Sequence, residues 1–124
     1  MSKNSSIYPL FSESDMASQN SHAHPKAVYF MRPELARILN VYGRLVSAGE
    51  WRDYAIDHLK DQAVFSIFRR ASEMPVYRII KEPARNTQQG MWRIVGMDGR
   101  ILKRGHALDQ LLRYFDRMML KATD

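Results

Sequence analysis

The spacing of apolar positions changes along this chain, and each change marks an element. Residues 1 to about 26 are rich in Ser, Asn, Gln and His and show no period, so they bury too little apolar surface to offset ordering and are expected to be disordered. "AVYFM" (27–31) reads as a short strand. Pro33 then suits the first position of a helix, where its missing N–H costs nothing. Leu35, Ile38, Leu39, Tyr42, Leu45 and Val46 follow at helical spacing, with Arg37, Asn40 and Arg44 outside the stripe, and Gly49 suits the C-terminal cap; a helix is predicted over about 33–48.

Beyond Gly49 the period drops to two. "RDYAIDHL" and "AVFSIFRR" flank the turn Lys60-Asp61-Gln62, "VYRIIKE" follows Pro75, and "MWRIVGM" and "RILKR" flank Asp98-Gly99, a strong hairpin signal. "PARNTQQG" (83–90) reads as a polar loop. Helical spacing returns from about His106 to Leu120, with Leu108, Leu111, Leu112, Phe115, Met118 and Met119 on one stripe. A short strand, a helix, about five antiparallel strands and a helix imply an α+β domain over 27–124, with both amphipathic helices packed on one face of the sheet.

Composition narrows the chemistry. The 124 residues suit one domain, and with no cysteine, thiol catalysis, Cys-ligated zinc and disulfides are excluded. The N-terminus lacks a secretory apolar core, and no run approaches the ~20 apolar residues of a membrane span, so a soluble cytoplasmic protein without membrane association is expected. In the tail, His22 and His24 lack further ligands for a metal. The apolar island Ile7-Tyr8-Pro9-Leu10-Phe11 suits either a docking motif for a partner or a segment lying against the protein's own core.

"WRDYAIDHLKD" (51–61) gathers three aspartates and a histidine. As a strand it would place Asp53 and Asp57 on one face and His58 on the other; as a helix it would stack three like charges. Neither geometry assembles metal ligands or an acid–base pair. Nucleophile elbows, phosphate loops and HExxH are also missing, so no catalytic residue, cofactor or metal site is assigned and a non-enzymatic protein is expected.

Charge gives the stronger signal. The net charge is +6, and between Arg69 and Arg104 nine basic residues stand against three acids (9 − 3 = +6), so one third of the chain carries the whole excess. If Phe65, Ile67, Tyr77, Ile79, Trp92 and Ile94 face the helices, then Val64, Ser66, Phe68, Val76, Ile80, Met91 and Val95 face away with Arg70, Arg78 and Arg93. Arg100 and Arg104 join them if Ile101 faces inward. This basic face, with Arg69 and Lys103 beside it, suits a phosphate backbone, so the expected function is a small regulatory module that binds nucleic acid. The alternative is an adaptor docking an acidic or apolar protein surface, and an enzyme built on Asp53, Asp57 and His58 is a third reading.

The runs "GEWRDYAIDHLKD" and "FSIFRRASEMPVYRI", with "RPELARILNVYGRLVSA" before them and "GRILKRGHALDQLLR" after, resemble a family of short alphaproteobacterial proteins classed as a domain of unknown function. The resemblance spans about 28–115 and implies one bacterial cytoplasmic domain, with no activity or site. Members of that family place an aspartate before the first helix, where this chain has Met31-Arg32, which removes the usual side-chain N-cap. The order helix, three strands, helix is also similar to double-stranded-RNA-binding domains, but "HALDQ" stands where their last helix begins with basic residues.

Overall fold

The computed structural model describes residues 27–49, 51–69 and 74–123. The reading of residues 1–26 as disordered therefore lies outside the described residues. Helix α1 spans Arg32–Ser47. Five strands follow: β1 (Asp53–His58), β2 (Ala63–Phe68), β3 (Tyr77–Lys81), β4 (Trp92–Gly96) and β5 (Ile101–Gly105), with a single 3-10 turn at Pro83–Arg85. Helix α2 spans Leu108–Thr123. The strands form an antiparallel meander in the order β1-β2-β3-β4-β5, and both helices pack on one face, giving the expected α+β fold.

Alternation explains the core. Phe65, Ile67, Ile79, Trp92 and Ile94 project from one side of the sheet and meet Ile38, Val41 and Leu45 of α1 and Leu108, Leu111, Leu112 and Phe115 of α2. Trp51 joins this core with its ring 5.0 Å from that of Phe115. Burying two tryptophans and two phenylalanines almost completely supplies a large share of the apolar stabilisation. Arg37–Asp109 and Arg44–Asp116 ion pairs, each at 3.2 Å, link the helices at the surface and add little in water.

The turns behave as their residues require. Gly99 takes a φ of 88° in the β4–β5 turn, and Gly49 takes 82° just after α1, where its N–H bonds to the Val46 carbonyl. Lys60-Asp61 closes the β1–β2 hairpin through Leu59 N–H to the Gln62 carbonyl.

Four expectations need correction. Residues 27–31 are extended but form no strand: Val28 N–H bonds to the Leu59 carbonyl, the Tyr29 carbonyl accepts from the Lys81 ammonium, and Phe30 enters the core. A side chain thus takes the place of a ladder partner. Helix α1 begins at Arg32, which moves Pro33 to the second helical position; its N-cap, Met31, makes no side-chain cap bond, and the Glu34 carboxylate accepts the Met31 N–H instead. Helix α2 begins two residues later than predicted and runs to Thr123. Val76 and Met91, expected on the far face, pack against the helix-side core, because each precedes its strand and escapes the alternation.

Candidate functional site

The helix-free face is built in rows that run across the strands. One row reads Asp57, Val64, Ile80, Arg93, Arg104, and the next reads Ala55, Ser66, Arg78, Val95, Ile101. Three guanidinium side chains, those of Arg78, Arg93 and Arg104, thus rise from adjacent strands around an apolar floor of Val64, Ile80 and Val95. The acids Asp53 and Asp57 belong to the same face at its far edge, on β1.

Arg104 reaches this face by a route that alternation alone does not predict. Its placing on this face is conditional on Ile101 facing inward, yet Ile101 lies opposite Val95 and is 47% exposed. Simple alternation from there would turn Arg104 toward the helices. A β-bulge between Ile94 and Val95 shifts the register, so that Leu102 packs against the core and Arg104 stands opposite Arg93.

The guanidinium groups differ in how far they are committed. Arg93 donates to Glu82 Oε1 at 2.6 Å and to Gln62 Oε1 at 3.2 Å, so it spans the ends of β4, β3 and β2. Arg85 also donates to Glu82, at 3.0 Å. The Arg93 hydrogen bond, outweighing burial and helped by Arg85, holds the Glu82 carboxyl below its ordinary range. Arg104, by contrast, has a buried Nη1 with no hydrogen-bond partner. Two like charges directly opposed across a ladder repel, and one carboxylate offsets only the Arg93 side.

The other predicted residues lie around this centre. Arg78 is half-buried between Ser66 and Val95. Arg69 and Lys103 are exposed, while Arg100, 82% exposed, pairs loosely with Asp98 at 3.6 Å in the β4–β5 turn. Arg70 lies outside the described residues. The structure therefore brings Arg78, Arg93 and Arg104 together and leaves Arg69 and Arg100 at the margins, while Lys103, paired with the core residue Ile94, stands on the helix side of the edge strand and not on this face.

His58 is separated from the aspartates, as alternation requires. It faces the helix side with its ring 4.5 Å from Tyr29 and 6.3 Å from Phe30, while Asp53 and Asp57 are exposed on the other face. Burial lowers the His58 pKa, against a smaller opposing pull from Asp57. Among the described residues no group of three His, Asp or Glu side chains converges as for a metal ion.

One ionic feature escaped the sequence reading. Lys81 counts in the basic excess, but it shares the phase of Tyr77 and Ile79 and points into the core, 7% exposed. Its ammonium donates to Glu34 Oε1 at 2.8 Å and to the Tyr29 carbonyl at 2.9 Å, and it stands 5.9 Å from the Trp92 ring centroid. The available signal was a lysine at an inward position of a strand, which requires a buried carboxylate nearby.

Comparison with known proteins places the chain. Residues 28–112 match the model of DUF2794, a protein family of unknown function. The chain belongs to this family. Neither a curated protein nor a solved structure matches it. The match covers α1, the whole sheet and the start of α2, so the helix-free face lies within the family's domain. Among the described residues no helix is long and apolar enough to cross a membrane.

Proposed function

We propose that this protein is a small non-enzymatic regulatory module of the alphaproteobacterial cytoplasm that binds nucleic acid through the helix-free face of its sheet. The observation that carries the reading is the set of three guanidinium groups on adjacent strands, with the Arg104 Nη1 buried and unpartnered. An N–H left without an acceptor is costly, and a phosphate oxygen is a charged acceptor that would satisfy it once the side chain turns out to meet the ligand. Arg78 and Arg104 supply the central phosphate contacts. Arg93, held by Glu82 and Gln62, acts mainly through its position, and Arg69 and Arg100, beside the ends of β2 and β5, extend the basic field.

A salt titration of binding to DNA and RNA tests this. With roughly four phosphate contacts, log K should fall with log salt at a slope of about −3 to −4. Arg104→Met should weaken binding while leaving stability equal or higher, since it removes a buried N–H that has no partner. Absence of binding at low salt would sink the proposal.

A second reading is a protein adaptor, favoured by the apolar floor among the arginines, which an acidic or apolar partner surface would also fit. Capture from a nuclease-treated lysate separates the two. A partner retained after nuclease supports the adaptor, and a partner lost with the nucleic acid supports the first reading.

A further inference from the structure

Val64, Ile80 and Val95 are only 6%, 6% and 7% exposed, and Ser66 between them is 7% exposed. Yet both helices pack on the other side of the sheet, and among the described residues no helix or strand lies over this floor. The side chains of Arg78, Arg93 and Arg104 border the floor at its β3–β5 side and leave its β2 side without a long side chain from the strands next to it. The Arg104 Nη1, at the outer strand of this face, is sealed from solvent as well. Exposure this low, on the face away from both helices, is what a covering segment would produce.

We infer that the cover is the chain's own N-terminal arm, with the apolar island Ile7-Tyr8-Pro9-Leu10-Phe11 seated over Val64, Ile80 and Val95. Three observations select this occupant over a second copy or another protein. The first is where the described chain begins. Val28 is tied to Leu59 and Tyr29 lies against His58 on the helix side, so the arm departs beside the β1 edge, which it must round to reach Val64, one strand in, and Ile80, two strands in.

The second is reach. Phe11 is 16 residues before Ala27. Sixteen residues span up to about 50 Å when extended and average roughly 22 Å as a flexible coil. The five strands, spaced about 4.8 Å apart, are only about 19 Å across from first to last. A tether of that length keeps the island at a high effective concentration over the face, so a weak contact suffices.

The third is complementarity. The island is the one apolar run of the arm, and Glu13 and Asp15, the arm's two acids, follow it within four residues. An apolar segment followed by two carboxylates matches an apolar floor flanked by Arg78 and Arg104. The inference does not rest on nucleic-acid binding, though arm and phosphate backbone would compete for the same arginines.

The test uses the full chain without nucleic acid, so its outcome is separate from that of the salt titration. The protein has no cysteine, which allows a single nitroxide at Ser12→Cys. Methyl signals of Val64, Ile80 and Val95 should broaden strongly, and those of Ile38 and Leu111, on the helix side, much less. Leu10→Asp combined with Phe11→Asp in the labelled chain should restore the signals. Mixing nitroxide-bearing chains without isotope with isotope-labelled chains without nitroxide should leave the signals sharp. Broadening in that mixture would assign the cover to a second copy, and no broadening in the first sample would remove the arm from the face; either result overturns the inference.

Discussion

Glu34 and Lys81 tie the start of α1 to the centre of the sheet, and removing one of them is the sharpest test of how this fold is held. The side chains are 15% and 8% exposed and meet at 2.8 Å. At an effective dielectric of about 20, the attraction at that distance is roughly 6 kcal/mol, much of which desolvation offsets. Glu34→Ala leaves the ammonium with only the Tyr29 carbonyl and also deletes the acceptor for the Met31 N–H at the helix start. Stability should fall by about 3–5 kcal/mol, the usual cost of stranding a buried charge. Lys81→Met should cost less, about 1–3 kcal/mol, because the Glu34 carboxylate keeps the Met31 N–H and the favourable helix N-terminus. In the double variant no charge is stranded, so its loss should be smaller than the sum of the singles by at least about 2 kcal/mol. Urea unfolding followed by emission of the two buried tryptophans, Trp51 and Trp92, measures all three, with an unchanged m-value as the two-state check. A loss below about 1 kcal/mol for Glu34→Ala, or additivity within about 0.5 kcal/mol, would refute the reasoning.

Two further outcomes are expected of the same fold. Gly90 has a φ of 98°, and a Cβ there would clash with the Gly105 carbonyl, so Gly90→Ala should cost more than about 2 kcal/mol; Gly99, with φ 88° and open space around it, should lose only about 1 kcal/mol as alanine, and urea midpoints compare them. His58 has a lowered pKa from burial, so the folded state binds fewer protons than the unfolded one, and its contribution is full above the unfolded imidazole value of about 6.5 and lost as pH falls through the folded value. His58→Gln should flatten that part of the stability–pH curve, and an unchanged slope below pH 6.5 would show that burial of His58 is not its source.

Much of the helix-free face was legible because a strand's side chains alternate. Arg78 and Arg93 follow directly from Tyr77, Ile79, Trp92 and Ile94 facing the helices. Arg104 was placed there on a condition that failed, since Ile101 faces outward and only the bulge turns Arg104 to the same side. A bulge adds one residue without a compositional mark, so no pattern announces it. Arg93 lies on the expected face, and Glu82 and Gln62, 11 and 31 residues away in sequence, hold it; such pairings depend on strand register rather than on local order.

The sequence by itself determined the two helices and their shared layer, the five strands after Gly49 and the separation of His58 from Asp53 and Asp57, because periods of 3.6 and 2 dictate which positions share a face. Tertiary structure decided which charges are available. Of the residues that make the 69–104 segment basic, Lys81 turns inward to Glu34, Arg93 is neutralised by Glu82, and Arg104 is left with a buried unpartnered N–H. A charge acts according to its burial and its neighbours, and residues far apart along the chain become neighbours only when the strands pair.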